Sequence, residues 1–235
     1  MSETKALGLP LLQPSQAQKH VTVNEALVRL DGLAQISLQS RSIANPPVSF
    51  VDGDCFGVPA GATGGWAGQD GKLAIASNGG WVFATPQAGW SAWITDEHVR
   101  ATYVQGDWRS GMIAGAPSGA ASLFETIEAD HSLTEGGSQL VGLDIPATSM
   151  IFACSARVVE EITGTATSWT LDLDDGTVTF GTGMGLAAGS YCTGLLSQPT
   201  AIYAGKSVRI SPDGGEFSGG RLRLAAHVYR IDLPV

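Results

Sequence analysis

Chemistry in this chain would have to come from a small stock of residues. The four histidines, His20, His98, His131 and His227, are far apart, and none stands four residues from another, the spacing that sets two imidazoles around a metal on one helical face. Three lie near carboxylates: His98 beside Glu97, His131 beside Asp130, and His227 close to Asp232. An imidazole could activate Cys154 or Cys192 only if the fold brought the two within hydrogen-bond reach. Nothing in the spacing calls for that, so structurally satisfied histidines are expected. Cys55, Cys154 and Cys192 are an odd number with no metal-ligand spacing, which predicts buried free thiols rather than a disulfide framework or zinc knuckle.

Other motifs give partial matches. No Gly-x-Ser-x-Gly elbow presents a serine nucleophile. The run Gly181-Thr-Gly-Met-Gly185 lacks the third spaced glycine of a dinucleotide fingerprint and the Gly-Lys-Ser/Thr of a phosphate loop, and reads as a glycine-rich turn between strands. Asp172-Leu-Asp-Asp-Gly176 imitates the start of a calcium loop but is too short and has no distal glutamate, so a hairpin turned at Asp175-Gly176 explains it better. Glu160-Glu161 could supply half of a glycosidase pair, which needs two carboxyls roughly 5–10 Å apart. No second acid is singled out. The expectation is no catalytic residue, no metal, no cofactor and no enzyme.

The elements that would position any site divide into two textures. After an extended, proline-bearing opening, Thr22 and Glu25 form a capping box. Val23, Ala26/Leu27, Leu30, Leu33/Ala34 and Ser37/Leu38 then recur at spacings of three and four, which predicts a helix over 22–39. Its apolar stripe needs another surface, either its own domain or a second copy; Val23, Leu27, Leu30 and Ala34 are the candidate oligomerisation residues. Asn45-Pro-Pro47 ends the helical segment. From 46 to 110 short strands alternate with turns, with Asn78-Gly-Gly80 as the clearest hairpin signal. This small β domain holds Trp66, Trp81, Trp90, Trp93 and Trp108, five of the chain's six tryptophans. Bulky aromatics substitute for a thin core, yet Trp66, Trp90 and Trp93 stand beside turns and are candidates for stacking on sugar rings. Residues 111–121 are small and broken by Gly and Pro, and read as a linker. Residues 122–235 carry eight strand-like runs and no helical one, the pattern of an antiparallel sandwich or jelly roll.

Length and composition agree with that division. A chain of 235 residues suits two small domains, and 31 glycines with only 15% charged residues lean towards β structure. The predicted fold class is mainly β: a short N-terminal helix, a small Trp-rich antiparallel β domain, and a C-terminal β-sandwich. The net charge of −9 argues against a nucleic-acid partner. No apolar run is long enough to insert in a membrane, and Met1-Ser-Glu-Thr-Lys5 lacks the layout of a secretory signal.

Particular residues then resemble a known family. Leu9-Pro-Leu-Leu-Gln-Pro-Ser-Gln-Ala-Gln-Lys-His-Val-Thr-Val-Asn-Glu-Ala-Leu-Val-Arg-Leu-Asp31, followed by Gly53-Asp54, Ala62-Thr-Gly-Gly-Trp-Ala-Gly68, Gly79-Gly-Trp-Val-Phe83 and Pro86-x-x-Gly-Trp-x-Ala-Trp93, resembles a domain of unknown function found in phage and gene-transfer-agent proteins of alphaproteobacteria. The similarity spans roughly residues 7–110. Phe56 falls one residue later after Gly-Asp than the family's usual aromatic. Weaker signals, Gly181-x-Gly-x-Gly185, Gly214-Gly-x-Phe217 and Leu224-Ala-x-His227, are similar to the β module that often follows.

The resemblance implies a tail-fibre or head-spike component of a virion, assembled in the host cytoplasm, with no catalytic residue to carry over. The expected partners are further copies of the chain, other virion proteins and a host-surface polysaccharide, with a trimer favoured and a pentamer fitting a five-fold vertex. Residues 1–45 would attach or oligomerise and the C-terminal sandwich would contact the cell. Two alternatives stand beside this: an adaptor that binds only other virion proteins, and a glycan-degrading spike enzyme.

Overall fold

A computed structural model describes residues 3–4, 7–12 and 19–234. The chain forms two compact units, Met1–Met112 and Ile113–Val235. Most of it is β structure, with one α-helix among the described residues. That helix is not long and apolar enough to cross a membrane.

The first unit is built on helix α1 (Lys19–Ala34) and seven strands: β1 (Ile36–Leu38), β2 (Cys55–Gly57), β3 (Leu73–Ser77), β4 (Gly80–Ala84), β5 (Ser91–Ile94), β6 (Val99–Val104) and β7 (Asp107–Ser110). They form one sheet in the order β4-β3-β2-β1-β5-β6-β7. The central strand β1 runs parallel to both neighbours, and the other pairs are antiparallel. One face packs Ile36, Leu38, Cys55, Leu73, Ile75, Ala92 and Ile94 under Val28 and Leu33 of the helix. The opposite face packs Phe56, Ala74, Trp81 and Phe83 around Trp66. Strand alternation sorts these sets, since Leu73 and Ile75 point one way and Ala74 the other. The β3–β4 hairpin turns on Asn78 and Gly79, with φ of 51° and 73°, the successive positive values of a type I′ turn. Gln105-Gly106, with φ of 52° and 87°, repeats the device between β6 and β7.

Three expectations need correction here. The helix starts at Lys19, so Thr22 lies within it rather than capping it. It also ends at Ala34 rather than 39, because Ile36 and Leu38 are the buried positions of β1. Ser37 between them is exposed, so the apolar positions here follow a two-residue alternation that overlaps the helical spacing. Nor is there a domain boundary near 45, since β1 forms the middle of the sheet that the Trp-rich strands complete. The stretch ahead of the helix folds back on it: Thr4 Oγ1 and the Leu7 N–H donate to Asp31 Oδ1 at 2.7 and 2.6 Å. The Leu12 backbone exchanges two hydrogen bonds with the Asn24 amide. Residues 13–18, which hold part of the family-like signature, lie outside the described residues.

The second unit is a two-sheet sandwich. Strands β8 (Met112–Gly115), β9 (Ala121–Ser132), β11 (Ser149–Gly164), β14 (Tyr191–Cys192), β15 (Leu195–Ile202) and β17 (Phe217–Asp232) form a six-stranded sheet. Strands β10 (Gln139–Ile145), β12 (Ser168–Leu173), β13 (Thr179–Met184) and β16 (Lys206–Asp213) form a four-stranded one, ordered β10-β16-β12-β13. Leu222, Leu224, Ala226 and Val228 of β17 meet Trp169, Leu171, Val208 and Ile210 in a single core. The expected linker at 111–121 is instead a hairpin: β8 pairs with β9, and the Gly119 N–H donates to the Ala116 carbonyl at 3.0 Å. Pro117-Ser-Gly119 forms a tight turn, whose small residues have the same composition as a spacer. Gly181 and Gly183 likewise sit within β13 rather than in a turn. A Cβ on Gly181 would come 2.6 Å from Cys192 Sγ, so the glycine makes room for that thiol.

Candidate functional site

The residues singled out for sugar contact do not converge. Trp66 is completely buried. The short 3₁₀ turn Gly64–Trp66 folds its ring against Phe56 and Trp81, with centroids 5.4 and 5.2 Å away. Standing beside a turn does not expose it, because that turn covers the sheet. Trp90 is half-buried against the helix-side core. Trp93 is 46% exposed, in register with Ser37 on β1 and Arg100 on β6. It lies on the part of the sheet that the Trp66 segment leaves open.

The four helix residues form a clearer feature. Val28, Asp31 and Gly32 face the unit's own interior, while Val23 and Leu30 are 41% and 53% exposed, Leu27 is half-buried and Ala34 is exposed. Positions 23, 27, 30 and 34 follow the 4-3-4 spacing of a coiled-coil seam, on the side of the helix that its own sheet does not use.

Several of the groups singled out for chemistry have partners within the fold. Burial pushes the Cys55 and Cys154 thiols up to about 12, so both stay protonated and unreactive at neutral pH. Asp172 takes a bidentate pair from Arg209 at 3.0 and 2.7 Å. Asp175 is bound by Lys206 and Thr177, which hold its carboxyl well below the usual carboxylate range. His131 Nε2 meets the Gln139 side chain at 3.3 Å. His227 stands between two hydroxyls, with Ser155 Oγ 3.4 Å from Nε2 and Thr126 Oγ1 3.5 Å from Nδ1. A hydroxyl in place of the orienting carboxylate gives an imidazolium little support, so the pair lacks the third member of a nucleophilic triad.

That Ser155–His227 pair borders a feature of the second unit that no sequence motif announced. On the outer face of the six-stranded sheet, pairing of β11, β17 and β9 aligns Arg157 with Arg223 and Asp130, and Ser155 with Ala225 and Glu128. The small Ser155 and Ala225 leave a shallow trough of about 700 Å³, walled by Arg157, Tyr191, Thr193, Arg223 and Glu128. Tyr191 is 62% exposed, and the Arg157 guanidinium lies 5.4 Å from its ring centroid. Asp130 accepts from Arg223 at 2.7 and 2.9 Å, and that guanidinium is the main reason its carboxyl titrates below the ordinary range. Towards the other end, the Phe124 ring packs at a tilt against Phe152 and Tyr229, with centroids 5.4 and 5.5 Å away. A small apolar hollow there is lined by Met150, Tyr203, Tyr229 and Ile231. The alternation of Arg221, Arg223, Ala225 and His227 along one strand was the available signal, but it names one wall only.

Comparison with known proteins bears on the first unit. Residues 23–109 match a family described as a protein of unknown function (DUF2793). The family-matched segment runs from within α1 to the last strand of the seven-stranded sheet, so it includes the Trp-rich core and the exposed helix seam. No curated protein matches the chain. Among solved structures, the chain is similar to one described as the cyanophage Pam1 capsid asymmetric unit, at 18% identity and a TM-score of 0.33, over 50% of this chain and 90% of that one.

Proposed function

We propose that the protein is a non-enzymatic structural component of a phage or phage-like particle, a tail-fibre or head-spike protein that self-associates and attaches to a host-surface polysaccharide. Virion membership is supported by the family-like residues between 9 and 93. The observation that carries self-association is the helix seam. An isolated helix of 16 residues is marginal in water, but this one is already folded against its sheet by Val28, Leu33 and the close approach at Gly32. Its exposed face therefore needs no further ordering before it meets a second copy. Heptad spacing suits parallel helices about a rotation axis, and a closed trimer is the arrangement proposed.

The test is sedimentation equilibrium of the wild-type chain and of Leu30→Asp. The expected result is three chain masses for the first and one for the second, with unchanged circular dichroism. A wild-type protein that stays monomeric and does not sediment with particles overturns the reading.

A second reading, an adaptor that binds only other virion proteins, is favoured by the exposed aromatic end of the six-stranded sheet, where Phe124, Met150, Tyr203 and Ile231 are open to solvent. Fluorescently labelled protein offered separately to host cells, capsule-free cells and particles lacking this component separates the two. Capsule-dependent retention supports attachment; retention on particles alone supports the adaptor.

A further inference from the structure

We propose that the trough on the outer face of the six-stranded sheet binds a carboxylate-bearing polysaccharide, with the sugar carboxylate on Arg157 and a sugar face on Tyr191. This rests on the attachment reading above and names the class of glycan it involves.

The first observation is electrostatic. Arg157 and Arg223 are directly opposed across β11 and β17, an arrangement of like charges that destabilises a strand pair. Arg223 is compensated by Asp130. Among the described residues, the Arg157 guanidinium meets the Gly189 carbonyl, at 3.4 Å, and the Tyr191 ring. Among the described residues no carboxylate lies within ion-pair distance of it, in a chain whose acids outnumber its bases by 22 to 13. A ligand carboxylate would complete the pair bidentately. One uncompensated guanidinium matches a group of single charge.

The second observation is shape. The trough is shallow and floored by small side chains, so a polymer can lie along it without presenting a chain end. Tyr191 offers an apolar ring within reach of the same sugar residue that Arg157 would hold, since ring and guanidinium are 5.4 Å apart. Ser155 and Thr193 supply hydroxyls. Glu128, in the next row of the sheet, accepts from sugar hydroxyls and repels a second carboxylate. The two ends of the trough therefore differ, and a sugar bound there has one orientation.

The experiment uses the full chain and measures binding to oligomers of polygalacturonate, alginate and hyaluronan, each beside its carboxyl-reduced form, with poly-glutamate as a non-sugar polyanion. The expected result is binding to at least one carboxylated glycan, at least tenfold weaker to its reduced form and to poly-glutamate. Arg157→Gln and Tyr191→Ala should each weaken it at least tenfold, whereas Trp93→Ala should not. All three side chains are at the surface, so circular dichroism should stay the same. Binding to no carboxylated glycan, equal binding of the reduced forms or of poly-glutamate, or unchanged binding by both trough variants overturns the proposal. Capsule-dependent retention on cells combined with any of those results removes the trough but leaves the attachment reading. Absence of retention on cells removes the attachment reading itself.

Discussion

Gly32 decides how closely the helix lies on its sheet. A Cβ there would stand 2.8 Å from Ile75 Cδ1 and 3.1 Å from Cγ1, and Ile75 is fully buried. Interiors of this density have no slack for added atoms. The adjacent Asp31, also buried, accepts from Thr4 and Leu7 and holds the N-terminal stretch over the helix. Helix propensity alone would favour alanine over glycine by about 1 kcal/mol, so the packing conflict sets the sign. Gly32→Val should destabilise the first unit by about 2–3 kcal/mol, the cost of overpacking plus a β-branched side chain in a helix. Combining it with Ile75→Val removes the clashing Cδ1 and should recover about 1 kcal/mol of that loss. Denaturant unfolding of the double-mutant cycle checks this; strictly additive effects would mean that the contact does not limit the approach.

At the level of elements, legibility tracked how local the determining interaction is. Strands such as β3, β4, β12, β16 and β17 could be read because turn residues bound them and at least one face of each is apolar. The end of α1 could not, since Ile36 and Leu38 continue a 3-4 spacing while serving as the buried pair of β1, and only the parallel neighbours β2 and β5 make that segment a strand. The trough was hidden for the same reason. Arg157, Tyr191 and Arg223 come from three strands, and register shifts after Ile151 and after Val158 fix which β11 residue faces which β17 residue. The turn between β12 and β13, the hairpin expected at Asp175-Gly176, is tied to β16 by side chains. Asp175 binds Lys206, Asp172 binds Arg209, and the Ser207 N–H reaches Asp174. The folded state holds the Asp175 carboxyl below its unfolded value, chiefly through Lys206. Its contribution to stability is therefore present above the usual carboxylate range and lost as pH falls through the lowered folded value. Lys206→Met should accordingly be less stable than wild type at pH 7, with a gap that closes on acidification. Thermal melts at pH 7, 5, 3 and 2 read this directly, and a gap independent of pH would remove Asp175 from the explanation.

For the whole molecule, the net charge of −9 works against an acidic ligand. At long range the chain repels a polyanion, while at contact distance the Arg157 side of the trough attracts it, and salt screens the first effect more than the second. A single trough should therefore bind weakly. Holding a particle on a cell surface then requires several troughs acting together, which is what association through Val23, Leu27, Leu30 and Ala34 would supply. The two features can be separated because they lie in different units of the chain. Leu30→Asp, made monomeric, should bind a short soluble uronate oligomer with the affinity of wild type, since each trough is intact. On an immobilised carboxylated polysaccharide the same variant should be retained about 10²-fold less, because linked sites rebind before they dissociate. Arg157→Gln should fail in both formats while remaining trimeric. Equal loss of soluble and surface binding in Leu30→Asp would mean that the trough is completed by the assembled subunits, and multivalency would no longer explain attachment.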